Sequence, residues 1–193
     1  MPKAPAAAGT AYDVCVFFED KWGTGKPPAA ADRLNIYLGA DYPGLGSEDG
    51  PHGVMDGFYP FLDRACTQRL ELDDEDLIAD RVFYCRLRGG RYNQEDLQRP
   101  QFDVGEQVFI LPEPGNQFDA DALLVTSTGR PIYKAGHLPR ELAAALAPMI
   151  RVSKGGKGII VKTVTGDGVR TGLRIVGSVG RELFVESVPR TNH

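Results

Sequence analysis

With 193 residues, 42% of them hydrophobic, the chain is long enough to bury one substantial core or two small ones. No apolar run approaches the roughly twenty residues that span a bilayer, and the opening stretch lacks a secretory signal's apolar core, so a cytoplasmic protein is expected. The net charge of -4 is uneven: residues 1–80 carry 6 Lys/Arg against 15 Asp/Glu, a net of -9, whereas residues 81–193 carry 16 against 11, a net of +5. Three cysteines, Cys15, Cys66 and Cys85, fall in no CxxC spacing, which argues against a disulfide framework and a zinc ribbon and for buried free thiols.

In chain order, residues 1–11 read as a disordered Ala/Pro tail. Tyr12–Phe18 has the β-branched and aromatic content of a central strand, and Trp22–Pro28 is a loop. Arg33–Leu38 is a second short strand. From Gly39 to Gly57 six glycines and two prolines exclude regular structure. Phe58–Leu70 has apolar residues spaced for a one-faced helix, and Asp73 reads as the N-cap of a short acidic turn through Ala79.

From Arg81 the pattern changes to short β-branched runs between turn residues: 82–87, 107–111, 122–126, 158–163, 173–176 and 182–186. Six such strands indicate a small barrel. One helix interrupts them, with Pro139 at its first position, Glu141 in its first turn and an apolar stripe of Leu142, Leu146, Met149 and Ile150. The expected fold is α+β: a small six-stranded, OB-like β-barrel with one or two helices over 81–193, preceded by a small acidic α+β segment over 12–80.

The stretch Leu111–Val125 stands out, because a Pro/Gly turn, Asn116 and the Phe118–Asp119 pair lie between two apolar strands, which suits a ligand-gripping loop better than a core. The segments Gly89–Asn93 (GGRYN), Phe102–Pro114, Asn116–Leu123 and Gly136–Ala143 (GHLPRELA) together resemble the HIRAN domain over about residues 81–190. The resemblance implies a module that binds single-stranded DNA at a free 3′-hydroxyl end, in repair, replication or processing of DNA. It also implies roles. Asp119 would accept a hydrogen bond from the terminal hydroxyl and repel a phosphate there. Tyr92 and Phe118 would stack bases, and Ile175 would fall where a relative carries another aromatic. Arg91, His137 and Lys134 would meet phosphates, with Arg140, Arg151, Lys154, Lys157 and Lys162 extending the electrostatic track or forming a solvated face. Phe118 replaces a common tyrosine, so stacking survives while a hydroxyl contact is lost.

Each residue also has a plainer role: a turn for Asp119, core packing for Tyr92 and Phe118, an ordinary surface or capping place for His137. No GxxxxGK[ST] and no GxGxxG in a strand–turn–helix is present, which excludes an ATP-driven motor and a dinucleotide fold. A non-catalytic module without cofactor or metal is therefore expected, alone or directing a helicase or nuclease partner to DNA. The alternatives are a metal-dependent nuclease using His52, Asp56, Asp63 and Asp73–Asp76, and a protein-interaction module built on the acidic segment.

Overall fold

The computed structural model describes residues 11–19, 34–39, 54–63, 67–79, 81–180 and 182–187. The expected N-terminal tail, the loop after Trp22 and most of the glycine-rich stretch lie outside them. Among the described residues no helix is long and apolar enough to cross a membrane.

Six antiparallel strands form a curled sheet, a half-barrel. They are β5 (Val82–Arg86), β6 (Gln107–Pro112), β7 (Leu123–Ser127), β8 (Lys134–His137), β9 (Gly156–Gly166) and β10 (Val169–Val179), in the order β5-β10-β9-β6-β7-β8. The helices α2 (Gln94–Leu97) and α3 (Arg140–Ser153) complete the unit. The strand assignments differ from expectation in two places. The short Lys134–His137 run, too polar to read as a strand, is the last strand of the half-barrel. The run at 182–186 instead forms β11 (Glu182–Ser187), which leaves the half-barrel and pairs with β1 (Ala11–Glu19).

A second sheet follows the order β11-β1-β2-β4, with β2 at Leu34–Gly39 and β4 at Tyr59–Phe61. The strand β3 (Val54–Gly57), which falls at the end of the stretch expected to lack regular structure, joins the half-barrel's sheet by pairing with the far half of β9, Thr163 opposite Asp56 and Lys162 opposite Gly57, while the near half of β9 pairs with β6. The helix expected over 58–70 is therefore a strand and a return. Pro60 has no amide hydrogen for a helix ladder, and the Asp63 carboxylate accepts from the Thr67 and Gln68 amides at 2.9 and 2.6 Å. The helical turn α1 (Glu75–Ala79) does form, but Asp74, not Asp73, caps it by accepting from the Leu77 amide at 3.3 Å. Asp73 sits in the left-handed region, at φ 59.

Two cores lie on the two faces of the same strands. Phe83, Cys85, Ile160 and Ile175 point toward Leu142, Leu146 and Ile150 of α3. Val82, Tyr84, Ile159, Val161 and Val176 point the other way, onto Ile36, Leu38 and Phe58 of the N-terminal segment. Strands buried on both faces read as unbroken apolar runs, which accounts for VFYC at Val82 and IIV at Ile159. Cys85 is fully buried, and burial pushes its thiol well above the usual range, so it is an unreactive packing residue.

Ile175 corrects the sequence reading. It is 0% exposed within the first core, so it cannot present a surface to a base. Replacing Ile175 by Ala will lower stability by about 2–5 kcal/mol, as for any large side chain removed from a packed interior. Thermal melting will register that loss, and the folded variant will keep the ligand preferences of the parent.

Candidate nucleic-acid interface

The site is built where the half-barrel closes. Beyond β5 the chain runs on through Leu87 to Arg88, which forms an antiparallel bridge with His137 at the end of β8: the Arg88 amide donates to the His137 carbonyl at 2.8 Å, and the His137 amide to the Arg88 carbonyl at 2.9 Å. The first and last strands of the sheet order thus meet. Gly136 permits the approach, since its φ is +141 and a Cβ there would lie 2.4 Å from the Arg88 carbonyl oxygen.

The bridge places two loops side by side. On one side Gly89, left-handed at φ 75, opens the 3-10 turn Gly90–Asn93. That turn carries Arg91 and Tyr92. The Arg91 guanidinium donates to the Tyr92 hydroxyl at 2.7 Å and lies over its ring at 4.8 Å, so the two act as one unit. Tyr92 is nevertheless 76% exposed. A β-carbon added to Gly89 would lie 3.7 Å from His137 Nδ1 and 3.9 Å from Tyr92 Cδ2, which puts histidine and tyrosine at the same place. The Lys134 amide donates to Asp96 of α2 at 2.9 Å and ties the start of β8 to this side.

On the other side lies the β6–β7 loop, held by its own polar groups. Asn116 Oδ1 accepts from the amides of Phe118 and Asp119 at 2.9 and 3.1 Å. Asp119 Oδ1 accepts from the Asp121 amide at 3.0 Å, and the Glu113 amide pairs with the Ala122 carbonyl at 3.0 Å. These Asx turns give the loop one shape. Phe118 projects from it with 91% of its surface in solvent. Asp119 thus does part of the plainer work expected of it, a turn through Oδ1, while Oδ2 faces the Arg140 guanidinium at 3.9 Å.

Glu113 links the two loops, and no sequence signal singled it out. Its Oε2 takes Asn116 Nδ2 at 2.7 Å and His137 Nε2 at 2.8 Å, and Lys134 Nζ lies 3.8 Å from Oε1. Glu113 and His137 are 24 residues apart, and only the pairing of β6 with β7 and of β7 with β8 brings them together. Arg140 was read as one cation of a track. It stands beside Asp119 at the start of α3, where Pro139 is the N-cap residue and not the first helical one.

The rest of the expected cationic track divides. Arg151 pairs with Asp121 at 2.5 Å, and Lys154 is exposed just past α3. Lys162 is 2% exposed with its ammonium 3.3 Å from the Tyr59 ring centroid, so it belongs to the interior and not to a solvated face. A separate cleft of about 490 Å³ lies between the loop and the end of α3, bounded by Pro114, Asp121, Ile150 and Lys154. Arg151 and Lys154 of the expected electrostatic track line it, whereas Arg91, Tyr92, Phe118, Asp119, Lys134 and His137 do not. Among the described residues no group of three or more His, Cys, Asp or Glu is placed to hold a metal ion.

Hydrogen bonds from Asn116 and then from His137 hold the Glu113 carboxyl below its ordinary value of 4.5, against the opposing effect of burial. A depressed folded value means that this contribution to stability is complete above pH 4.5 and is lost as the pH falls through the folded value. The difference in melting temperature between the parent and Glu113→Gln will accordingly be present at about pH 5 and shrink under more acid conditions.

A family model described as the HIRAN domain matches residues 81–180. Among solved structures, the crystal structure of the HIRAN domain of human HLTF is similar at 24% sequence identity and a TM-score of 0.36, over 51% of this chain and 75% of that chain. No curated protein sequence matches. Because the family match spans more than half of the 193 residues and coincides with the half-barrel and its two loops, the chain belongs to the HIRAN domain family.

Proposed function

We propose that this protein is a non-catalytic module that binds single-stranded DNA, gripping a free 3′-hydroxyl end at the seam between the two loops and serving repair, replication or processing of DNA. One observation carries the reading. Tyr92 and Phe118 are 76% and 91% exposed although each rides on a hydrogen-bonded turn beside a well-packed core. Exposed aromatic rings carried on preformed turns give successive bases a stacking surface, and every base has a face to offer.

The charges around them fit the same ligand. Asp119 presents a carboxylate able to accept from a hydroxyl, and a phosphate at that point would be repelled. Arg140, 3.9 Å from that carboxylate and largely exposed, offsets part of its charge and supplies a donor for the next phosphate. Arg91 and Lys134 add cations on the two sides of His137. Family membership points the same way, since HIRAN domains are DNA-binding modules.

Titration against labelled oligonucleotides ending in 3′-hydroxyl or 3′-phosphate tests the reading. The hydroxyl end will bind more tightly, and equal affinities would overturn end capture. Tyr92→Ala and Phe118→Ala will each weaken both ends by about 1–3 kcal/mol, the range for loss of one base–aromatic stack. Asp119→Ala will erase the preference with a small change in melting temperature, because the only turn bond it forfeits is partly exposed.

A further inference from the structure

We propose that Glu113 fixes the ring proton of His137 on Nε2, so that the ligand-facing nitrogen, Nδ1, can donate to a DNA phosphate only when the ring is an imidazolium. The inference rests on the single-stranded-DNA reading and adds to it a pH gate and the residue that sets it.

Asn116 sets the direction of these bonds. Its Oδ1 is taken by the amides of Phe118 and Asp119, so the atom it turns toward Glu113 is Nδ2, at 2.7 Å from Oε2. An amide nitrogen donates and does not accept, which makes Oε2 an acceptor. The same oxygen meets His137 Nε2 at 2.8 Å. An ionised carboxylate has no proton to offer, so Nε2 must supply the hydrogen whether the ring is neutral or charged. The lowered acidity range of Glu113 agrees with that ionised state.

Everything then turns on Nδ1. It lies beside Gly89 and the Tyr92 ring, has no partner among the described residues, and belongs to a side chain 30% exposed. In the neutral ring Nδ1 carries a lone pair, which repels a phosphate oxygen. In the imidazolium it carries a proton and donates. The charged groups on the elements around the ring, besides the ring itself, are Glu113 on β6, Lys134 on β8, Asp96 of α2 on the Lys134 amide, Arg88 across the bridge, Arg91 on the 3-10 turn, and the Asp119–Arg140 pair. Of these side-chain types, histidine alone ordinarily changes charge between about pH 5 and 8.

The test follows the affinity of the full chain for a 3′-hydroxyl oligonucleotide from pH 5.5 to 8 at constant salt, where the phosphodiesters do not titrate. The parent will bind about tenfold more tightly at the acid end, the effect of one charge-assisted hydrogen bond gained. His137→Asn will lose the slope. Glu113→Ala frees the ring to carry its proton on Nδ1 while neutral, so the contact partly survives at pH 8 and the ratio of its affinities across the range will fall clearly below the parent's, to the difference between a neutral and a charge-assisted bond. Glu113→Gln will keep the slope, because its oxygen must still face Asn116 Nδ2 and so still requires Nε2–H.

A flat profile in a parent that binds DNA would overturn the gate and leave the DNA reading standing. So would a Glu113→Ala variant weakened by one factor at every pH, which is the mark of a merely structural role. A slope that survives in His137→Asn would assign the response elsewhere and overturn it too. Should Glu113→Ala fail to fold, loss of the slope in Glu113→Gln decides against the gate. Absence of binding at any pH removes the DNA reading itself, and this inference with it.

Discussion

The two backbone hydrogen bonds between Arg88 and His137 are the constraint on which the site depends. They join the open edges of a curled sheet, and in doing so they set a turn bearing Arg91 and Tyr92 against a loop bearing Phe118 and Asp119. The approach is close enough that a β-carbon at position 136 would collide with the Arg88 carbonyl, so glycine is required by contact as well as by its positive φ. A site beside that seam inherits its backbone order, and the hydrogen-bonded turns that carry the exposed aromatics are shaped before any ligand arrives.

The same sheet is held from behind. Strands β5, β9 and β10 have apolar residues on both faces, one set packed on α3 and the other on the N-terminal segment. β3 extends the ladder of β9 where β6 stops, and Lys162 spends its buried ammonium on the Tyr59 ring. Ile36, Leu38 and Phe58 of the N-terminal segment thus cover a face of the half-barrel that would otherwise be an exposed apolar surface. The seam with His137 lies at Arg88, beyond the residues of β5 that the N-terminal segment covers, where the chain meets β8.

Local charge, more than net charge, describes the interface. Each carboxylate of the β6–β7 loop has a basic partner: Glu113 has His137 and Lys134, Asp119 has Arg140, and Asp121 has Arg151. These pairs are partly exposed and contribute little to stability. Their effect is on orientation. Glu113, bonded to both Asn116 and His137, couples the shape of one loop to the proton position on the other.

The amino-acid sequence alone carried the strand-rich half after residue 81, the apolar stripe of α3 and the family. Those depend on local signals, namely β-branched runs, 3.6-residue spacing and turn residues in fixed order. Tertiary structure alone decided the rest. Ile175 became core because β10 is sandwiched, Lys162 went inside because β3 and Tyr59 cover it, and the helix expected over 58–70 gave way to a strand that finds a partner in β2. The run at 182–186 reads as a barrel strand, yet it pairs with β1, while the polar run at 134–137 closes the half-barrel. Glu113 could not be read at all. Its meaning comes from a contact 24 residues away, and such contacts are set by strand pairing, in which the hydrogen-bonding groups belong to the backbone and are the same for every sequence.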